Sequence, residues 1–320
     1  MEGKKLFKQI VILLTIILLF ILFDISFYNI ITKKYINNYG DKVKEKSIDL
    51  EHYMPFKEDS EIVHFKSSLK IKENIPVLDG ATALYPIYAS YVESLYPEES
   101  VKFNGKDFEN TSSIQKTGTT KAYKRVVDGD VDVIFCAGPS KKQEEYAKEK
   151  GVELELVPIG KESFVFIVNK NNKIDGLTVD QIKDIYQGKI KSWDEVGGEK
   201  EPIIALQRAE GSGSQTAMLK FMNGIEMANP GQMFIGRAIG YSFRYYVEGI
   251  VKDGNIKMLS LNGIAPTKEN IKNGLYPITD SFYMIYRKDN ENPNIKVLKD
   301  FILSKDGQEI IENTGYVSIY

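Results

Sequence analysis

From Ile75 to the C-terminus, short apolar runs alternate with segments whose apolar positions recur at helical spacing. IPVLDG leads into the helical ALYPIYASYVESLY, VKFNG reads as a short strand, KAYKRVVDG as a helix and VDVIFCAG as a buried strand. KKQEEYAKEK is a solvated helix, followed by the strands LELVPI and FVFIVNK, the helix TVDQIKDIYQG, the strand PIIALQ and the helix SQTAMLKFM. After the apolar-aromatic AIGYSFRYYVEG come the strands IKMLSL and FYMIYRK, and two helices close the chain within Ile295 to Asn313. Alternation of this kind predicts an α/β fold with mostly parallel sheets covered by helices.

The upstream pattern is different. Ile10 to Ile31 is apolar apart from Asp24, Ser26 and Asn29, and follows Lys4, Lys5 and Lys8. Its length suits the ~20 residues that span a bilayer. A cleavable signal peptide is the alternative. No alanine precedes Ala81 and no cysteine precedes Cys136, so both a small-residue cleavage site and a lipid-bearing cysteine are missing near the apolar run. The expectation is residues 1–9 in the cytoplasm and an uncleaved single-pass membrane anchor over 10–31. A polar stalk of mixed charge follows over 32–73, ahead of an extracytoplasmic domain.

Composition removes several function classes. A net charge of −2, with no long basic run beyond the N-terminal region, argues against a nucleic-acid partner. The single cysteine, Cys136, permits no internal disulfide, and its apolar neighbours mark it as a buried thiol. Both histidines, His52 and His64, precede the α/β part, so a Ser-His-Asp triad or a histidine-rich zinc site is not expected there. No P-loop motif occurs, and neither cofactor nor metal is called for.

Three segments place small hydroxyl-bearing residues just before a predicted helix: Asp79-Gly80-Ala81-Thr82, Thr117-Gly118-Thr119-Thr120 and Gly211-Ser212-Gly213-Ser214. A helix N-terminus offers orphan N–H groups and the positive end of a dipole, which suits an anion. Glycine lets the backbone approach closely, and Ser or Thr adds a donor. Each alone also fits an ordinary N-cap or a flexible loop. Three in one domain, with Arg208 beside the third, are more specific, because a guanidinium can clasp an oxyanion through two parallel bonds. The competing partner for Arg208 is a carboxylate such as Glu210.

RAEGSGS resembles the Arg-x-x-Gly-Ser-Gly-(Ser/Thr) signature of the phosphate-binding receptors of ABC phosphate importers, and DGATALYP resembles their first anion loop. LTVDQIKDIYQGKIKSWDEVGG, with Trp193 as a core anchor, and the closing TGYVSI are similar to further segments of that family, in the same order from about Ile75 to Tyr320. The resemblance implies a two-lobed type II periplasmic-binding-protein fold: lobe 1 over 74–161 and 271–320, lobe 2 over 162–270. LVPIGKESFVFIVNK and YPITDSFYMIYRK would cross between the lobes. It implies Thr82, Ala83, Thr119, Thr120 and Ser140 as ligand-binding residues from lobe 1, and Arg208, Ser212, Gly213 and Ser214 from lobe 2. The expected activity is capture of phosphate or a related oxyanion by a monomer that delivers it to an ABC permease, without catalysis. An envelope sensor or protein-interaction domain on the same fold is the alternative, and the absence of a domain histidine argues against a hydrolase using Ser212 or Ser214. One departure stands out. Where the family often carries a Ser-Asp pair whose acid accepts the proton of hydrogen phosphate, this chain reads Ala137-Gly138-Pro139-Ser140, leaving Asp79 and Glu210 as substitutes.

Overall fold

The computed structural model divides into two units. The smaller is described at scattered positions between Lys4 and Ser26, all helical; the larger is described over residues 48–228 and 237–320 and carries everything that follows. Most of the apolar span 10–31 lies outside the described residues, among which no helix is long and apolar enough to cross a membrane.

The elements follow the alternation in the sequence. In chain order they are β1 (Leu78–Gly80), α1 (Tyr85–Leu95), α2 (Thr119–Asp128), β2 (Val133–Ala137), α3 (Lys141–Glu149), β3 (Leu154–Asn169), β4 (Gly176–Leu177) and α4 (Val179–Tyr186). Then come β5 (Ile203–Ala205), α5 (Gly213–Met222), β6 (Arg237–Phe243), a π-helical turn (Tyr246–Val251), β7 (Ile256–Met258) and β8 (Ser260–Leu261). α6 (Lys268–Lys272), β9 (Thr279–Arg287), α7 (Asn294–Ile302) and α8 (Lys305–Thr314) complete the fold. Helix starts are set by local chemistry: Ser140 and Thr178 cap α3 and α4 in full capping boxes with Gln143 and Gln181. VKFNG forms no strand; Phe103 makes only an isolated bridge to Phe108.

Strand order in the main sheet is β1-β2-β9-β3-β6-β5, with β7 also paired to β3. The long strand β3 joins its two halves. Leu154 to Ser163 pairs with β9, whereas Phe164 to Val168 pairs with β6. LELVPI and FVFIVNK are therefore one strand, interrupted by an irregularity at Pro158/Gly160. The expectation of mostly parallel sheets is corrected here. β1/β2 and β5/β6 are parallel, but every pairing of β3 and β9 is antiparallel. Parallel neighbours need a helical crossover, and β3 and β9 run between the crossover units rather than within one.

Separate cores lie on either side of this join. One gathers Leu78, Tyr88, Tyr91, Phe135 and Met284, and the other Phe166, Ile182, Trp193, Met218 and Leu261. A third cluster around Val126, Ile134 and Cys136 packs α2 against β2. At the join, buried Glu162 faces buried Arg244, 3.4 Å from its Nε, and accepts the N–H groups of Ser163 and Tyr245. Removal from water pushes the Glu162 carboxyl upward.

Residues 48–73 are not the free stalk that their polarity suggested. Ile48, Leu50, Tyr53, Ile62 and Ile71 are buried in the first core. Phe56 N–H donates to Glu93 Oε2, Val63 N–H donates to Ser90 Oγ, and His64 pairs with Glu93, so the segment straps α1. Its apolar residues are spaced irregularly along an extended path, which neither a period of two nor one of 3.6 detects.

Candidate functional site

The three hydroxyl-bearing segments all lie at element N-termini, as their sequence suggested. Thr82 and Ala83 open a short 3-10 turn after β1, with no side-chain cap. Thr119 and Thr120 open α2, whose N-cap Gly118 adopts φ +83°, ψ 160°, a conformation for which only glycine is at ease. With no cap there, the first N–H groups of α2 stay open. Gly213 and Ser214 open α5 behind Ser212, whose hydroxyl accepts from Gln215 N–H and donates to Ala209 O.

Tertiary contacts bring the second and third segments together. Thr120 Oγ1 donates to Gly211 O at 2.9 Å. A Cβ on Gly211 would lie 3.2 Å from Thr120 Oγ1, and one on Gly213 would lie 3.4 Å from Thr119 Oγ1. The first segment joins through Gly118 N–H, which donates to Gly80 O at 3.1 Å. Ser140 caps α3, and Gln143 of the same capping box reaches Gly211 O with its amide. Lys142 and Glu210 form a 2.9 Å ion pair across the same gap.

Arg208 sits in the loop between β5 and α5. Its backbone N–H is held by Gln215 Oε1 and Tyr241 Oη, each at 3.0 Å. Its half-buried guanidinium makes no hydrogen bond or ion pair with any described residue. Glu210, its expected competitor, is exposed and engaged with Lys142. A fixed backbone carrying a guanidinium that no described residue pairs, beside the uncapped start of α2, gives an anion both a strong donor fork and a directional dipole.

Sequence reasoning missed the groups that hold these loops. Asp79, fully buried, accepts Gly80 N–H and Thr117 N–H at Oδ1, each at 2.8 Å. At Oδ2 it accepts Thr117 Oγ1–H and Arg125 Nη1–H, each at 2.7 Å. This clasp sets the turn that presents Gly118. Asp79 therefore corrects one expectation: its lone-pair positions are filled by the protein and leave nothing for a ligand's proton. Gln215 stands three residues after Ser212, where a capping box is read, but its side chain turns to Arg208 and Tyr241 instead. Ala83 O accepts the Tyr316 hydroxyl, which ties the first anion loop to the C-terminal segment.

A two-lobed α/β framework that brings an arginine and three glycine- and hydroxyl-bearing element starts together defines a binding protein rather than a nucleophile-and-base site. Residues 76–305 match the family model described as the PBP superfamily domain, and the chain belongs to that superfamily. It is 25% identical over 256 residues to the phosphate-binding protein PstS of Bacillus subtilis, a match that covers 76% of this chain and 80% of that protein. Against PstS of Staphylococcus epidermidis, identity is 26% over 272 residues, with 75% and 77% covered. Among solved structures, one described as a phosphate ABC transporter substrate-binding protein with bound phosphate from Clostridium perfringens aligns with a TM-score of 0.60 at 25% identity, covering 77% of this chain and 99% of that one. An ABC-type phosphate transport receptor from Vibrio cholerae shares the fold, with a TM-score of 0.53 at 18% identity over 76% of this chain and 99% of the other.

Proposed function

We propose that this chain captures phosphate, or a related oxyanion, between two lobes and delivers it to an ABC permease without catalysing a reaction. The lobes take in 74–161 with 271–320, and 162–270. Arg208, Gly213 and Ser214 grip from the second, and Thr82, Ala83, Thr119 and Thr120 from the first. Ser140, whose capping-box partner Gln143 reaches Gly211 O, is taken with them, and Ser212 serves mainly as the cap that orders its helix. The observation that carries this reading is the Arg208 guanidinium, which pairs with no described residue, in a loop whose Gly211 touches Thr120 across the cleft. The phosphate-binding relatives support the choice of ligand.

Calorimetric titration of phosphate into the full chain and its Arg208→Ala variant tests the site. Loss of two charge-assisted bonds at ~1.5–3 kcal/mol each weakens binding at least a hundredfold. Wild-type affinity in the variant excludes this site. Single-pass anchoring through 10–31 belongs to the same proposal, supported by the apolar run. The mature protein then keeps Met1 and fractionates with membranes, and intact-mass measurement showing a start beyond Ile31 rules the anchor out.

A further inference from the structure

Hydrogen phosphate and sulfate are both tetrahedral dianions of similar size, and they differ chiefly in that one carries a proton. A site tells them apart by holding an acceptor that only the P–OH group can satisfy. A fixed carboxylate does this strongly, because against sulfate it faces lone pairs and goes unpaired. Four segments meet at the proposed site through the contacts above: 78–84, 116–120, 137–143 and 207–215. They contain two carboxylates, Asp79 and Glu210.

Neither is available. Asp79 is buried behind its loop, and both oxygens are filled by Gly80, Thr117 and Arg125. Glu210 is 66% exposed and paired with Lys142. The bordering carbonyls are largely occupied as well. Gly211 O accepts from Thr120 and Gln143, Ala209 O from the N–H and O–H of Ser212, and Ser140 O from the N–H groups of Gln143 and Glu144. What remains on these segments, among the described residues, includes N–H donors, the Arg208 guanidinium and the hydroxyls of Thr82, Thr119, Ser140 and Ser214, and no free carboxylate. A hydroxyl rotates to donate to sulfate or to accept from phosphate, so it penalises neither.

We infer that the site recognises tetrahedral oxyanion dianions as a class, reading charge and shape but not the proton, so that it takes sulfate nearly as well as phosphate. The inference rests on the proposed binding site and concerns its selectivity. The test is calorimetric titration of the full chain, in mild detergent near neutral pH, with inorganic phosphate and with sulfate. The same two titrations are run on Glu210→Gln, an exposed position whose change leaves the fold intact.

Dissociation constants within about tenfold of each other, or ~1.4 kcal/mol, with the ratio unchanged in Glu210→Gln, support the inference. Rejection of sulfate by more than that overturns it and leaves phosphate capture standing. A ratio that collapses only in Glu210→Gln also overturns it, by assigning the acceptor to Glu210. If neither anion binds, the proposed function itself fails, an outcome distinct from the other three.

Discussion

At the scale of single residues, the site depends on side chains that never meet the ligand. Asp79 is the clearest. Its carboxylate gathers two N–H groups, a hydroxyl and the Arg125 guanidinium, and so fixes where α2 begins. Asp79→Asn replaces an acceptor with a donor facing Arg125, which is itself only one-fifth exposed. Breaking a buried pair from one side is expected to cost roughly 3 kcal/mol. Urea unfolding should show a lowered midpoint with an unchanged slope, and a midpoint equal to wild type would mean that the clasp carries no stability. Arg208 differs in kind. Its backbone is tied at two points while its side chain pairs with no described residue, so substitution there should move affinity and leave the unfolding midpoint nearly alone.

At the scale of elements, the strap over residues 48–73 changes what counts as the folded unit. Five apolar side chains, Ile48, Leu50, Tyr53, Ile62 and Ile71, pack under it. Each is worth about 1.5–3 kcal/mol when buried, and their sum is comparable with the ~5–15 kcal/mol net stability of a whole domain. Tyr53 also donates to Glu61, and Lys252 beyond the π-helical turn pairs with the same carboxylate at 2.7 Å. A fragment starting at Glu73 is therefore expected to lose its cooperative melt, whereas one starting at residue 47 keeps it. Near-ultraviolet circular dichroism during heating distinguishes the two, and equal melting temperatures would show the strap to be dispensable.

At the scale of the whole molecule, β3 is the strand shared by both halves of the sheet, and the proposed closure would be accommodated near Glu162 to Phe164. There the pairing partner of β3 changes and the Glu162–Arg244 pair is buried. A dianion held from both sides favours the closed arrangement only through contacts that the open one lacks. Phosphate at a hundred times its dissociation constant should stabilise the protein by ~2.7 kcal/mol, read as a higher melting temperature. It should also lower the radius of gyration in solution scattering. Stabilisation without contraction would place the anion on one lobe alone.

The sequence by itself determined the α/β alternation, the glycine- and hydroxyl-bearing element N-termini and the arginine beside the third of them. These are local properties: helical and strand periods repeat within a few residues, and a Gly-Ser-Gly-Ser turn before a helix carries its N–H groups wherever the chain goes. Only the tertiary structure decided the rest. LELVPI and FVFIVNK merge into one strand because β9 and β6 pair with it in succession, and neither partner is near it in sequence. The polar-looking 48–73 segment buries five apolar side chains because α1 offers a face for it. Asp79 and Glu210, equivalent as candidate proton acceptors in the sequence, become a buried clasp and a surface ion pair. Their partners, Arg125 for one and Lys142 for the other, lie 46 and 68 residues along the chain. A carboxylate's chemistry is set by what fills its lone pairs, and that is a property of the fold.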